Sequence, residues 1–391
     1  MIKENQSELK RANLIKYQKM PKKNDLWYVV LDDTSKPRNF DKITIIDDFK
    51  RYFRTSDSAD HNTNVCGVVR ELTKDAKIIT FPFFNNDAQE KIIEWIIDNQ
   101  AKIAVVSLSA TLTRPSAEAF KQLEATDIPI LCASGNNYND KPNSTAVLTW
   151  TIACGSYEDY HDRVPAYSNG GVDIVAFSNI YIYTGKDSFG KNRYKLFNGT
   201  SCATPFAGSA LWLYMSRMNV KLNRQEVFDF IKNNTLDILE KGHDAKSGYG
   251  LFILPEKTKV NLFIGSDKYL IDGVTYRMDT APVLKSKRTF VPIRFVAEAL
   301  GFKVTWGGDV AGGNKKEVII QNGNLKVNML IGSSDYLVNN NKSKMDVKPF
   351  LQNNRTYVPI RFVAEALGAK VTWSGDIGGN RNEVIIEKEG E

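Results

Sequence analysis

Of the 391 residues, only three are histidines and four are cysteines, so the groups able to carry catalysis are few. His61 heads the segment His61-Asn62-Thr63-Asn64-Val65-Cys66-Gly67, whereas His161 and His243 lie in polar stretches, EDYHDRV and EKGHDAK, with no accompanying motif. Three further segments carry polar groups where a fold can use them. Asp32 ends the apolar run LWYVVLDD, Asn136 follows IPILCAS within Ala133-Ser134-Gly135-Asn136-Asn137, and Ser201 lies in NGTSCATP ahead of the apolar stretch FAGSALWLYMSRM. A hydroxyl is a poor nucleophile near neutral pH and needs a base within hydrogen-bond reach. The base in turn needs a buried carboxylate to fix its tautomer. A tetrahedral oxyanion needs donors, and a strand-end Asn with the first N–H groups of a helix can supply them. These residue types therefore suit acyl transfer through a serine.

The elements that must bring them together are legible from hydrophobic pattern. Leu26–Asp33, Lys77–Phe84, Lys102–Ser109 and Ile128–Ser134 are short apolar runs of the kind found in strands buried on both faces. Between them, Ala88–Gln100 and Pro115–Ala125 have helical spacing. Strands alternating with helices predict an α/β fold, a parallel sheet covered by helices on both faces, with functional groups collecting beyond the carboxyl ends of the strands.

NGTSCATPFAG closely resembles the nucleophile motif of the subtilisin-like serine proteases, and Asp, His and Ser stand in that family's chain order with separations of 29 and 140 residues. CASGNN resembles the family's oxyanion segment, Ala153–Ser178 the stretch before the serine, and Ser247–Phe252 the segment closing the domain; the similarity spans about residues 25 to 256. The resemblance implies a serine endopeptidase of the subtilase (peptidase S8) family: Ser201 as nucleophile, His61 as general base and acid, Asp32 as orienting carboxylate and Asn136 as oxyanion donor. It further implies that Ser107, Leu108 and Ser109 pair with substrate backbone, with Ser134 and Gly135 beside them. The family's usual pattern is broken at Asp33, Asn62, Asn64 and Ser109, where small residues, Gly or a second His are common; none of these removes a catalytic group. The competing reading is a surface-attachment protein whose subtilase domain is inactive. The resemblance implies no cofactor for the chemistry and allows structural calcium, common in the family, whose ligands the sequence does not identify.

From Val260 the chain repeats itself at an offset of 67 residues, with VPIRFVAEALG at its centre in both copies. Each copy resembles the copper amine oxidase N-terminal-like domain, and this implies two small α+β repeat domains, each an antiparallel sheet wrapped on one helix. The family name implies no copper here, since no His or Cys occurs after His243 and copper sites favour imidazole or sulfur. Arg294 and Arg361, with Glu298 and Glu365 four residues on, are expected to form ion pairs on the helix. The expected domains are a basic N-terminal arm (1–25), the protease domain (26–256) and repeats at 257–322 and 323–391.

Charge follows this division. Of 52 basic and 45 acidic residues, 20 and 14 lie from Lys257 onward, a net of +6 against +7 for the whole chain. The excess belongs to the repeats, where it favours an anionic cell-wall polymer as partner, and it does not argue for nucleic acid. All four cysteines precede the repeats without C-x-x-C spacing and are expected to be buried free thiols. No apolar run approaches the roughly 18–20 residues of a membrane helix. The repeats suggest an extracellular or surface location, although Met1–Asp25 has no apolar signal region. With only 31 residues before Asp32, the expectation is a truncated gene start or a short leader.

Overall fold

The computed structural model describes residues 3–33, 37, 43–53, 61–83, 85, 87–109, 114–143, 145–186, 188–309, 316–374 and 383–389. The chain divides into two compact units, Met1–Leu254 and Pro255–Glu391.

The first unit is built on strands β1 (Trp27–Asp32), β2 (Ile43–Thr44), β3 (Lys77–Pro82), β4 (Ile103–Leu108), β5 (Ile130–Ala133), β6 (Ile152–Tyr157) and β7 (Ile174–Phe177), a hairpin β8 (Ile180–Lys186) and β9 (Asn192–Phe197), and the short β10 (Thr235–Leu236) and β11 (Leu251–Phe252). Its helices are α1 (Gln6–Arg11), α2 (Leu14–Lys19), α3 (His61–Leu72), α4 (Gln89–Asp98), α5 (Arg114–Lys121), α6 (Thr200–Met218) and α7 (Arg224–Asn233). Nine strands form one sheet in the order β10-β11-β7-β6-β5-β4-β1-β3-β2, parallel except where β10 meets β11. β1, β4, β5, β6 and β7 are almost wholly buried, as the continuous apolar runs require of strands covered on both faces. β1 pairs with β3 on one side and β4 on the other, so the chain's direction of winding reverses there. The carboxyl ends of β1 and β4 flank that switch point, where open α/β sheets bind their ligands.

α6 packs on α3 and across β4 to β7. It is buried along nearly its whole length, and this explains why the FAGSALWLYM stretch is apolar all round instead of on one face. Residues 3–25 do not form a separate arm. Leu9, Ala12, Leu14 and Tyr17 are buried at 0–1% exposure, the Leu254 N–H donates to the Ala12 carbonyl at 3.1 Å, and Lys23 N–H donates to Ser216 at 2.9 Å. Apolar residues spaced along Leu9–Tyr17 seal the end of α6, and the basic residues between them conceal that face in the sequence.

The second unit holds β12 (Lys257–Phe263), β13 (Lys268–Ile271), β14 (Val274–Arg277), β15 (Val283–Lys285), β16 (Arg288–Pro292), α8 (Ile293–Ala299), β17 (Lys303–Trp306) and β18 (Glu317–Asn322) from the first copy. The second copy supplies β19 (Leu325–Leu330), β20 (Asp335–Val338), β21 (Asn341–Lys344), β22 (Phe350–Gln352), β23 (Arg355–Pro359), α9 (Ile360–Ala366), β24 (Ala369–Ser374) and β25 (Glu383–Glu389). The antiparallel sheets are present, but the copies are not sequential domains with a boundary at 322/323. The sheets run β14-β13-β12-β25-β24, β17-β18-β19-β20-β21 and β15-β16-β23-β22, so each is assembled from both copies. β12 pairs with β25 along seven positions, and β18 with β19 along six. One core, from Val260 through Val291 and Val358 to Ile386, runs through both. β13 and β14 form a hairpin. Asp272-Gly273 turns it, with φ of 52° and 88°, in the left-handed region that tight hairpin loops use.

Candidate functional site

Asp32 ends β1 with its side chain fully buried, and His61 opens α3 above it. His61 Nδ1 lies 2.7 Å from Asp32 Oδ1, and the same oxygen accepts the Asp33 N–H at 2.7 Å. An ionised acid accepting at Nδ1 keeps the proton there and leaves Nε2 as the basic nitrogen. Burial, the largest influence, pushes the imidazole pKa down. The charge and hydrogen bond of Asp32, with the charge of Asp33, outweigh that burial and the opposing Lys195, leaving the group pushed up to about 8. Phe197, at the end of β9, closes the ring edge-on at a centroid distance of 5.9 Å. Asp32, Asp33 and His61 are also the one set of three ligating side chains gathered within 4.8 Å among the described residues. The short Asp32–His61 bond suits an orienting pair better than a metal cradle.

Ser201 is the second residue of α6. Gly199 precedes the helix at φ 83°, where a Cβ would stand 3.1 Å from the Asn136 amide, so glycine admits that side chain against the helix start. Asn136 Oδ1 accepts the Thr200 N–H at 3.0 Å, which leaves the amide nitrogen as the donor end of the side chain. The Cys202 and Ala203 N–H groups both turn back to Gly199 O, at 2.9 and 3.1 Å. The Ser201 N–H, in the first helical turn, has no carbonyl four residues back within the helix. Pro205 has no N–H to give the Ser201 carbonyl, which leaves the first turn of α6 open on that side. The Ser201 hydroxyl itself donates to the Ser109 carbonyl at 2.9 Å.

The segments expected to hold substrate divide. Ser107 and Leu108 lie inside β4, in register with Val30 and Leu31 of β1 on one side and Leu131 and Cys132 of β5 on the other. Their backbones are committed to the sheet, so Ser109 is the first residue of the three beyond the ladder. Residues 110–113, which follow it, lie outside the described residues. Ser134 donates from Oγ to Asn169 O at 3.2 Å, and Gly135 N–H donates to Thr200 Oγ1 at 3.2 Å. Gly135, at φ 107°, is packed so tightly that a Cβ would lie 2.2 Å from Asn143 Nδ2.

Asn169 is the residue sequence reasoning missed. Fully buried, it accepts the N–H groups of Asn137 and Asn139 at 2.9 and 3.2 Å and donates to Ser134 O at 3.1 Å. It braces the whole loop that carries Asn136. Its signal in the sequence is the Asn169-Gly170-Gly171 triplet within Ala153–Ser178. The four cysteines are free and buried; burial pushes the Cys132 and Cys202 thiols up to about 12 and those of Cys66 and Cys154 higher still.

Asp32 and His61 form one hydrogen-bonded pair at the end of β1, and Asn136 meets the first turn of α6, which carries Ser201. A model of the subtilase family, Peptidase S8, matches residues 50–250, just over half of the chain and a span holding His61, Asn136 and Ser201; the chain belongs to the subtilase family. A model of the copper amine oxidase N-terminal domain matches residues 251–312 and 310–378. Alkaline elastase YaB of Bacillus sp. (strain YaB) is 26% identical over 161 residues, 41% of this chain and 40% of that protein. A protease inhibitor of Brevibacillus choshinensis is 34% identical over 86 residues, 22% of this chain and 25% of that protein. The chain thus aligns with well under half the length of these curated relatives. Among solved structures, a lanthipeptide protease is similar with a TM-score of 0.49 at 18% identity, over 64% of this chain and 93% of that one. The prenylagaramide maturation protease PagA is similar with a TM-score of 0.48 at 17% identity, over 61% and 95%.

Proposed function

We propose that the chain is a serine endopeptidase that cleaves peptide bonds through an acyl-enzyme, with the C-terminal repeats as an accessory attachment module. The single observation that carries the catalytic reading is the buried Asp32 carboxylate held 2.7 Å from His61 Nδ1 in a chain of the subtilase family. Family membership and the relative named as an elastase supply the substrate class, proteins or peptides.

On this reading His61 Nε2 takes the Ser201 proton as Oγ attacks the scissile carbonyl, and Asp32 stabilises the imidazolium. The oxyanion is met by Asn136 Nδ2 and the Ser201 N–H. His61 then gives its proton to the leaving amine, and a water repeats the sequence to release the acid. The Ser201 hydroxyl must leave the Ser109 carbonyl for His61 on the way to attack, a rotation about one side-chain bond.

Reaction with a fluorophosphonate tests this. The folded chain labels at Ser201 and Ser201→Ala does not. A folded chain left unlabelled while a control protease reacts removes the enzyme reading and leaves an attachment protein with an inactive domain.

A further inference from the structure

The second unit contains two small cavities, of about 170 and 190 Å³. Asp279, Pro292, Ile293, Arg294, Phe295 and Trp306 of the first copy line one, together with Asn354, Arg355 and Thr356 of the second. The other is lined by residues at the same offset of 67 throughout, with the copies exchanged: Asp346 through Trp373 from the second copy and Lys287, Arg288 and Thr289 from the first. Eight of the nine lining positions carry the same residue in both cavities, Asn354 against Lys287 being the exception. Over the 47 aligned residues from Val260 and Val327, 28 are the same, and exposed positions elsewhere differ freely, Ser286 standing against Asn353 and Thr275 against Lys342. The cavities have kept polar and exposed residues that packing alone does not demand.

Their chemistry is mixed in a specific way. Arg355 donates from Nε to Asp279 at 2.6 Å and Arg288 to Asp346 at 2.8 Å, so one arginine in each cavity ties the copies together and holds a carboxylate in the wall. The second arginine is not spent in this way. Arg294 meets Glu298 only at 3.9 Å with both side chains half exposed, and its guanidinium lies 4.6 Å over the Trp306 ring. Trp373, the equivalent indole, is 43% exposed. The first cavity therefore offers a guanidinium stacked on an indole, the second the equivalent arginine with an exposed indole, and both a carboxylate able to accept from hydroxyl groups. The negative face of an indole attracts the weakly positive C–H edge of a saturated ring, and guanidinium matches carboxylate in a two-pronged geometry. The wall carboxylate can accept from sugar hydroxyl groups, which a polyphosphate chain lacks. Two equivalent cavities on one unit suit a ligand that repeats, because the second engagement is then intramolecular.

We propose that these cavities are twin receptor sites for an anionic polysaccharide, each taking one carboxylate-bearing sugar with its acid group on Arg294 or Arg361 and its ring against Trp306 or Trp373. This deepens the attachment reading of the repeats and rests on it.

The test is equilibrium binding of the full chain to polygalacturonate at about 150 mM salt, with dextran and polyphosphate as comparisons. The unmodified chain binds polygalacturonate, ignores dextran and prefers polygalacturonate to polyphosphate. Arg294→Ala/Arg361→Ala weakens binding at least tenfold, each single variant weakens it less, and Lys303→Ala/Lys370→Ala, the same charge loss outside the cavities, changes it little. Thermal melts of the variants show that the exposed arginines are not needed for folding. Polymer binding that is indifferent to the arginine pair, or lowered equally by the lysine pair, overturns the cavity assignment and leaves the attachment reading standing. Polyphosphate bound as tightly as polygalacturonate overturns the sugar assignment. No polymer bound at all overturns both.

Discussion

The two units solve opposite problems of assembly. In the first, residues distant in the chain are brought together by unlike elements: Asp32 at the end of β1 meets His61 at the start of α3, and Asn136 beyond β5 meets the start of α6, which carries Ser201. In the second, the same residues occur twice and the strands of the two copies cross over, so that β25 closes on β12 and β19 on β18. The first arrangement tolerates no exchange of parts. The second is built from exchange, and its cavities exist only where one copy meets the other.

The largest expected effect breaks this comparison if it fails. Ending the chain after Asn322 removes β25 from β12 and β19 from β18, and takes away Val358, Ile360, Val363, Val384 and Ile386 from the shared core. Losing several buried aliphatic side chains at about 2–5 kcal/mol each exceeds the stability of a small domain. The remaining copy is expected to unfold, or to recover its partner strands from a second chain as a dimer. Calorimetry, sedimentation and limited proteolysis read this directly: the first unit keeps its transition and its fluorophosphonate reactivity. A truncated copy that stays folded and monomeric would show the crossed pairing to be unnecessary.

Within the first unit, Asn136→Ala is expected to lower kcat by about 10²–10³, the magnitude known for the corresponding donor of subtilisin itself, with KM for a peptide substrate little changed. Asn169→Ala sharpens the point about support. It touches no reacting atom, but it leaves Asn137 N–H and Asn139 N–H without their side-chain acceptor and Ser134 O with the Asn143 N–H as its remaining donor. Unmade buried bonds cost about 1–3 kcal/mol each, so a lower melting temperature is expected together with roughly a tenfold loss in kcat as the Asn136 loop loosens. Stability lost with full kcat in the folded fraction would make Asn169 a purely structural brace.

The parallel sheet was readable because strands buried on both faces must be apolar throughout, and Val29–Leu31 and Ala104–Val106 are. Asp32 and Ser201 were readable because a strand-end acid and a helix-start serine are local features. Three things were not. Leu9–Tyr17 has the charge of a solvated arm, and only the end of α6 shows what its apolar residues are for. Asp272-Gly273 is a local turn signal inside what reads as one strand. The crossing of the copies leaves no local trace, since each strand carries the same pattern whichever copy it pairs with.

Titration gives the smallest effect and the one with the most definite sign. His61 must be neutral at Nε2 to act as base, so with its pKa pushed up to about 8, kcat/KM is expected to rise as pH increases through about 8. Stability runs the other way. A histidine whose folded pKa lies above its unfolded value of about 6.5 contributes stability in full below that value and loses it as pH rises through the folded one. Lower pH therefore favours a better-held but less active site. Asp33 adds to the elevation by charge alone, behind the larger contributions of Asp32, while Lys195 on β9 opposes it. Asp33→Asn keeps the Asp33 N–H on Asp32 and removes only that charge. The activity limb is then expected to move toward lower pH by less than a unit, with the plateau rate above it little altered. Lys195→Ala is expected to move it toward higher pH. A limb that stays in place in both variants would mean that His61 feels only its partner Asp32, and that the departure from the family pattern at position 33 carries no catalytic consequence.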